Sequence, residues 1–220
     1  MNLLTELIDR SLLVEDRALL AADRAAEGPA TVTVINTSGA GGLVALAGRT
    51  PAHVRLVAVD NAVRDTVDPV GNIARIAAAA RELDPDIAVR VAIPRDCSGY
   101  DDAVSAVEAE GLQGLLGDHR TPEQAAAELS AFVEADLPFA ATVSTAGQLA
   151  SLLVALDQLI DGASVEQATQ TLTAAADEDQ LRAINGWDDQ RAARIRRRLT
   201  AVRSLELPAL LEELEELDVI

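Results

Sequence analysis

Val54 to Asn61 reads VRLVAVDN, an apolar run rich in β-branched residues that closes on two polar ones. Such residues fit a pleated strand better than a helix. Working outward, the same kind of run recurs at Thr31 to Thr37 (TVTVINT), Ile87 to Pro94 (IAVRVAIP), Leu112 to Gly117 (LQGLLG) and Phe139 to Ser144 (FAATVS). Helical patterns separate them, near Leu43 to Ala47 and over Val70 to Leu83, Tyr100 to Glu110, Pro122 to Ala135 and Gly147 to Ile160. Thr121-Pro122-Glu123 carries a start signal: a capping hydroxyl, a proline at the first helical position and an acid in the first turn. Strands separated by helices imply right-handed crossovers and a mainly parallel sheet. A complete eight-stranded barrel needs about 250 residues. The expectation is therefore an α/β fold, either a mainly parallel five-stranded sheet or an incomplete TIM-like barrel.

The flanks read as helical. Leu3 to Glu27 spaces leucines among acids and arginines, predicting one or two amphipathic helices before Gly28-Pro29. Ser164-Val165-Glu166 opens a helix toward Ala176, and another is predicted from Trp187 to Arg203. This divides the chain into an α/β domain over 1–162, with N-terminal helices in 1–28 and βα units in 29–162, and a helical extension over 163–220 packed on it. Arginines crowd the helix from Trp187, while Glu206 to Asp218 is acidic, so the two are expected to pair within the chain or across subunits. Leu207, Leu210, Leu211, Leu214 and Leu217 form an apolar stripe suited to packing on the chain itself or on a second copy, as in a homodimer.

The inventory of side chains excludes several kinds of chemistry. All 18 basic residues are arginine, so the chain has no amine side chain for a Schiff base and no lysine for a Walker phosphate loop. The single cysteine, Cys97, rules out an internal disulfide and any multi-cysteine metal centre. A net charge of −18 disfavours nucleic acid and anionic membrane surfaces. The uncharged stretch from Leu137 to Leu156 holds too many polar residues for a bilayer span. Nothing at the N-terminus resembles a secretory signal, which predicts a cytoplasmic protein.

In parallel α/β folds, ligands bind at the carboxyl ends of strands, where crossover loops and helix N-termini converge. The five predicted ends are polar: Asn36-Thr37-Ser38, Asp60-Asn61, Arg95-Asp96-Cys97, Asp118-His119-Arg120 and Ser144-Thr145. His119 is the candidate general base, oriented by Asp118 or Asp96. Asn36, Ser38, Asp60, Asn61, Arg95, Arg120 and Ser144 are the candidate ligand contacts, with arginine suited to clamping a carboxylate or phosphate. The same Asp, Asn and Ser residues are also ordinary turn formers. His53 precedes a strand and falls at the opposite end of the sheet. Ser38-Gly39-Ala40-Gly41-Gly42 brings backbone N–H groups to a helix start without matching a nucleotide-loop spacing. No spacing motif ties Asp60, Asp96, Asp118 and His119 into a metal site, so no metal is predicted and no cofactor is indicated.

DPDIAVRVAIP (84–94), LPFAATVST (137–145) and WDDQRAARIRR (187–197) resemble segments of a group of uncharacterised actinobacterial proteins with TIM-barrel-like character. The resemblance covers about the last two-thirds of the chain and implies a barrel-like fold. Members carry lysine where this chain has Ala140, so an activity resting on that lysine is not implied here. Two functions stay open: a non-catalytic protein that binds a small anionic metabolite or a protein partner, and a lyase, isomerase or hydrolase acting on such a metabolite through the strand-end cluster.

Overall fold

The computed structural model describes residues 3–15, 30–50, 54–117, 121–174, 178–218 and 220. The chain is α/β as expected, and among the described residues it forms seven strands and ten helices. It divides into two compact units, one of residues 10–115 and one of 1–9 with 116–220.

In the unit of residues 10–115, five strands follow one another in chain order. They are β1 (Leu12–Glu15), β2 (Ala30–Ile35), β3 (Val54–Ala62), β4 (Ala88–Ala92) and β5 (Gln113–Leu116, whose last residue is counted in the other unit), each parallel to the next. Consecutive parallel strands joined by right-handed crossovers put every helix on the same face. Here those helices are α2 (Ala40–Arg49), α3 (Pro69–Ala80) and α4 (Tyr100–Ala109), packed in series. Strand alternation turns Val32, Val34, Val59, Val89 and Val91 toward the helices, and all five are buried. The opposite face carries Thr33, Ala58, Asp60 and Arg90, also buried. Helix α3 starts at Asp68, whose carboxylate accepts from the Gly71 N–H at 2.9 Å, with Pro69 at the first helical position.

The unit of 1–9 and 116–220 pairs β6 (Phe139–Thr142) in parallel with β7 (Leu199–Arg203). Ile8 bridges to Val202 in parallel, and the Asp9 N–H donates to the Val202 carbonyl at 2.7 Å. Around them lie α1 (Leu3–Leu7), α5 (Pro122–Glu134), α6 (Ala146–Ile160), α7 (Val165–Thr173), α8 (Glu178–Asn185), α9 (Asp189–Arg198) and α10 (Leu207–Glu216). Helix α6 is the centre of this core: Leu149, Leu153 and Leu156 are fully buried, each contributing about 2 kcal/mol of transfer free energy. Phe132 and Phe139 stack at a tilt with centroids 5.4 Å apart. The predicted starts hold: Thr121 forms a capping box with Gln124, and Ser164 forms one with Gln167.

Two sequence expectations need correction, and together they raise the strand count from five to seven. Leu12 to Glu15 belongs to a strand, because helix α1 ends at Leu7 and Leu12-Leu13-Val14 pairs with β2. The helix predicted from Trp187 to Arg203 stops at Arg198, and Leu199 to Arg203 pairs with β6. The 163–220 segment is therefore not wholly helical. Both strands are short: the leucine spacing that begins in α1 masked β1, and β7 runs on directly from the last residue of α9.

The arginine-rich helix α9 is consumed in ion pairs, and among the described residues none of these is with the acidic tail. Arg191 Nε and Nη2 reach Asp157 Oδ2 at 3.0 and 2.5 Å, and Arg194 joins Asp157 Oδ1 at 2.9 Å and Asp161 Oδ1 at 2.6 Å. Arg197 and Arg198 both pair with Asp136, and Arg196 pairs with Glu6. Arg191 also stacks on Trp187, 4.0 Å from the ring centroid. In α10, Leu210 and Leu214 are buried, so part of the leucine stripe packs within the chain. No helix among the described residues is long and apolar enough to cross a membrane.

Candidate functional site

Asn36 and Asn61 stand at the carboxyl ends of β2 and β3 and are each only 4% exposed. Asn36 Nδ2 donates to Asn61 Oδ1 at 2.6 Å and to the Gly39 carbonyl at 2.7 Å, while its Oδ1 accepts from the Ser38 N–H at 3.0 Å. Asn61 Nδ2 faces the Val59 and Arg90 carbonyls at 3.3 and 3.4 Å. A buried amide must place both its donor and its acceptor, and this pair does so within the β2–α2 loop and the sheet edge. Asn36, Ser38 and Asn61 are thus brought together, in a brace for the loop. A Cβ on Gly42 would lie 2.4 Å from Asn36 Oδ1, so the glycine at that position makes room for the brace. Arg64 lies over Gly39, its Nη1 3.7 Å from where a Cβ there would sit.

Asp60 alternates to the other face of β3, where Arg90 Nη1 lies 3.8 Å from its Oδ1. Strand register sets Asp60, Arg90 and Gln113 side by side on β3, β4 and β5. Arg95 is exposed, with its guanidinium 4.2 Å from the Tyr100 ring centroid, and Asp96 is exposed beside it. Cys97 is buried, and burial, reinforced by Asp96, pushes its thiol above the usual range, so it is a protonated core thiol at neutral pH. Ser144, in the other unit, is exposed, and its N–H donates to Gln148 Oε1 at 2.7 Å. Asp118, His119 and Arg120 lie outside the described residues, as does His53.

In the unit containing β6, a pocket of about 290 Å³ opens at that strand's carboxyl end. Its apolar wall comes from Leu116, Pro122, Val143, Leu152 and Leu172. Its polar side chains among the described residues are Thr142, Gln148 and Ser151. Thr142 ends β6; Gln148 and Ser151 fall in the first turns of α6, which the Thr145 hydroxyl caps by accepting from the Gln148 N–H. Behind Thr142 stands Arg203, its register partner on β7, whose Nε donates to Thr142 Oγ1 at 2.8 Å. Burial pulls the Arg203 pKa down to about 10, opposed by Asp9, which leaves the guanidinium charged at neutral pH. In the unit of residues 10–115, a pocket of about 340 Å³ adjoins the amino ends of β3 and β4, with Glu82, Asp84, Asp86 and Arg55 among its walls. That is the end of a parallel sheet that ordinarily serves stability.

The reading of strand ends pointed to the end at which the β6 pocket opens but did not include Thr142, Gln148, Ser151 and Arg203. Thr142 lies inside the quoted FAATVS run, and Gln148 stands at the capping distance from Thr145, so both carried a local signal. Arg203 carried none once its segment was read as helix. Comparison with protein-family models, curated proteins and solved structures finds no match to this chain.

Proposed function

We propose that this chain binds a small metabolite in the pocket at the carboxyl end of β6 and performs no covalent chemistry on it. The observation that carries this reading is the wall itself, an apolar surface with three hydrogen-bonding side chains. Binding sites have this composition: apolar burial supplies affinity and a few fixed polar groups supply orientation. Among the described residues the lining side chains are hydroxyl, amide or hydrocarbon, none of which titrates near neutral pH as an acid–base catalyst must. The volume suits a short-chain metabolite rather than a nucleotide cofactor.

Thermal-shift screening of short-chain metabolites tests the proposal, with Ser151→Leu as the filled-pocket control. A ligand present at about 100 times its Kd stabilises the native state by about 2.7 kcal/mol. The expected result is a raised Tm for the natural chain and none for the filled variant. An equal shift in both, or no shift from any compound, refutes the proposal.

A further inference from the structure

We infer that the pocket at β6 selects ligands bearing a carboxylate, because the Thr142 and Gln148 oxygens each already accept a hydrogen bond while their hydrogens stay available to it. The inference rests on the binding reading above and names its ligand class.

The argument follows the protons. Arg203 Nε–H can only donate, so Thr142 Oγ1, 2.8 Å away, is its acceptor. The Thr142 hydroxyl proton is then directed away from Arg203, on a side chain that lines the pocket. The Ser144 backbone N–H is likewise an obligatory donor, and it lies 2.7 Å from the Gln148 carboxamide. The atom it meets must be the oxygen, which fixes the amide's orientation and leaves Nε2 with both hydrogens for the pocket Gln148 lines. Ser151 is the reverse case: its Oγ donates to the Ala174 carbonyl at 3.2 Å, so it presents lone pairs. Among the described residues the pocket thus offers two neutral donors and one neutral acceptor, with the Arg203 guanidinium, partly offset by Asp9, behind one donor. A carboxylate takes both donors and is attracted by that charge. An amide takes the donors without the charge, and an ammonium meets one acceptor and a like charge. Arg203 acts as a positioning residue, since it reaches the ligand through Thr142.

Three probes of one shape separate these outcomes: 3-methylbutanoate, 3-methylbutanamide and 3-methylbutylamine, titrated into the full chain by calorimetry or ligand-observed NMR. The expected order is carboxylate, then amide about tenfold weaker, then amine weakest. Gln148→Glu keeps the acceptor for the Ser144 N–H and replaces the Nε2 hydrogens with an oxygen. It is expected to weaken carboxylate binding by about tenfold or more and to reverse the order in favour of the amine. Thr142→Val, which removes the hydroxyl at nearly constant shape, is expected to weaken the carboxylate about fivefold, and it serves alone if Gln148→Glu does not fold as judged by circular dichroism. Binding of all three probes without preference, or an unchanged order in Gln148→Glu, overturns the selectivity while sparing the pocket. No binding by any probe overturns the pocket reading with it.

Discussion

Replacing Gly42 with alanine, and separately Gly41, tests whether the Asn36–Asn61 brace is structural. Both glycines lie in the first turn of α2, where an alanine substitution gains up to about 1 kcal/mol of helix propensity. At Gly41 a new Cβ meets nothing within 4 Å, so that gain stands. At Gly42 it would lie 2.4 Å from Asn36 Oδ1 and 2.8 Å from Ser38 Cβ, so Asn36 must move. Moving it puts at risk the bonds to Asn61 at 2.6 Å, to Gly39 at 2.7 Å and from Ser38 at 3.0 Å. Losing one buried bond costs about 1 kcal/mol, and leaving Asn61 unsatisfied adds about 1–3 kcal/mol. The net expectation is Gly42→Ala destabilised by about 1–3 kcal/mol and Gly41→Ala neutral or stabilised by up to about 1 kcal/mol. Urea denaturation followed by circular dichroism, with equal m-values required, measures both. Equal stability of the two variants, or a Gly42→Ala protein as stable as the natural chain, would refute the structural role of the brace.

Asp157→Ala removes the acceptor shared by Arg191 and Arg194. Because those arginines are 40% and 39% exposed and stay partly hydrated, the cost is set below that of a fully buried pair, at about 2–3 kcal/mol in urea titrations. A loss under about 0.5 kcal/mol would show that the clamp is incidental. For Cys97, the folded pKa is raised, so the unfolded chain releases the thiol proton first as pH climbs. Its contribution is fully present below the unfolded thiol value and is lost as pH rises through it toward the higher folded value. Cys97→Ala should show a shallower stability decline over that alkaline range; parallel curves would contradict the assignment. The native thiol should also resist a disulfide reagent at pH 7 and react once urea unfolds the chain.

The five strand runs beginning with VRLVAVDN were legible because a strand buried on its helix-facing side needs branched apolar residues wherever its neighbours lie. The caps at Thr121 and Ser164 were legible because they satisfy helix N–H groups from within four residues. β1 and β7 were not: Leu12 to Glu15 and Leu199 to Arg203 are four or five residues long, and only pairing with another strand distinguishes them from continued helical spacing. The strand-end polar residues were legible as a set, but their roles were not. Asn36 and Asn61 differ from Asp60 by the face on which alternation places them, and that face has meaning only once the helices are packed on one side.

By itself, then, the sequence determined the α/β class, the parallel βα order and the chemistry that an arginine-only, single-cysteine chain forgoes, because these depend on local propensity and on inventory. Tertiary structure decided which side chains meet: α9 arginines with Asp157 rather than the acidic tail, and Arg203 with Thr142 across 61 residues of chain. The physical reason is that an arginine pairs with whichever acceptor folding delivers, and in a chain of 36 acidic residues only three-dimensional proximity chooses among them.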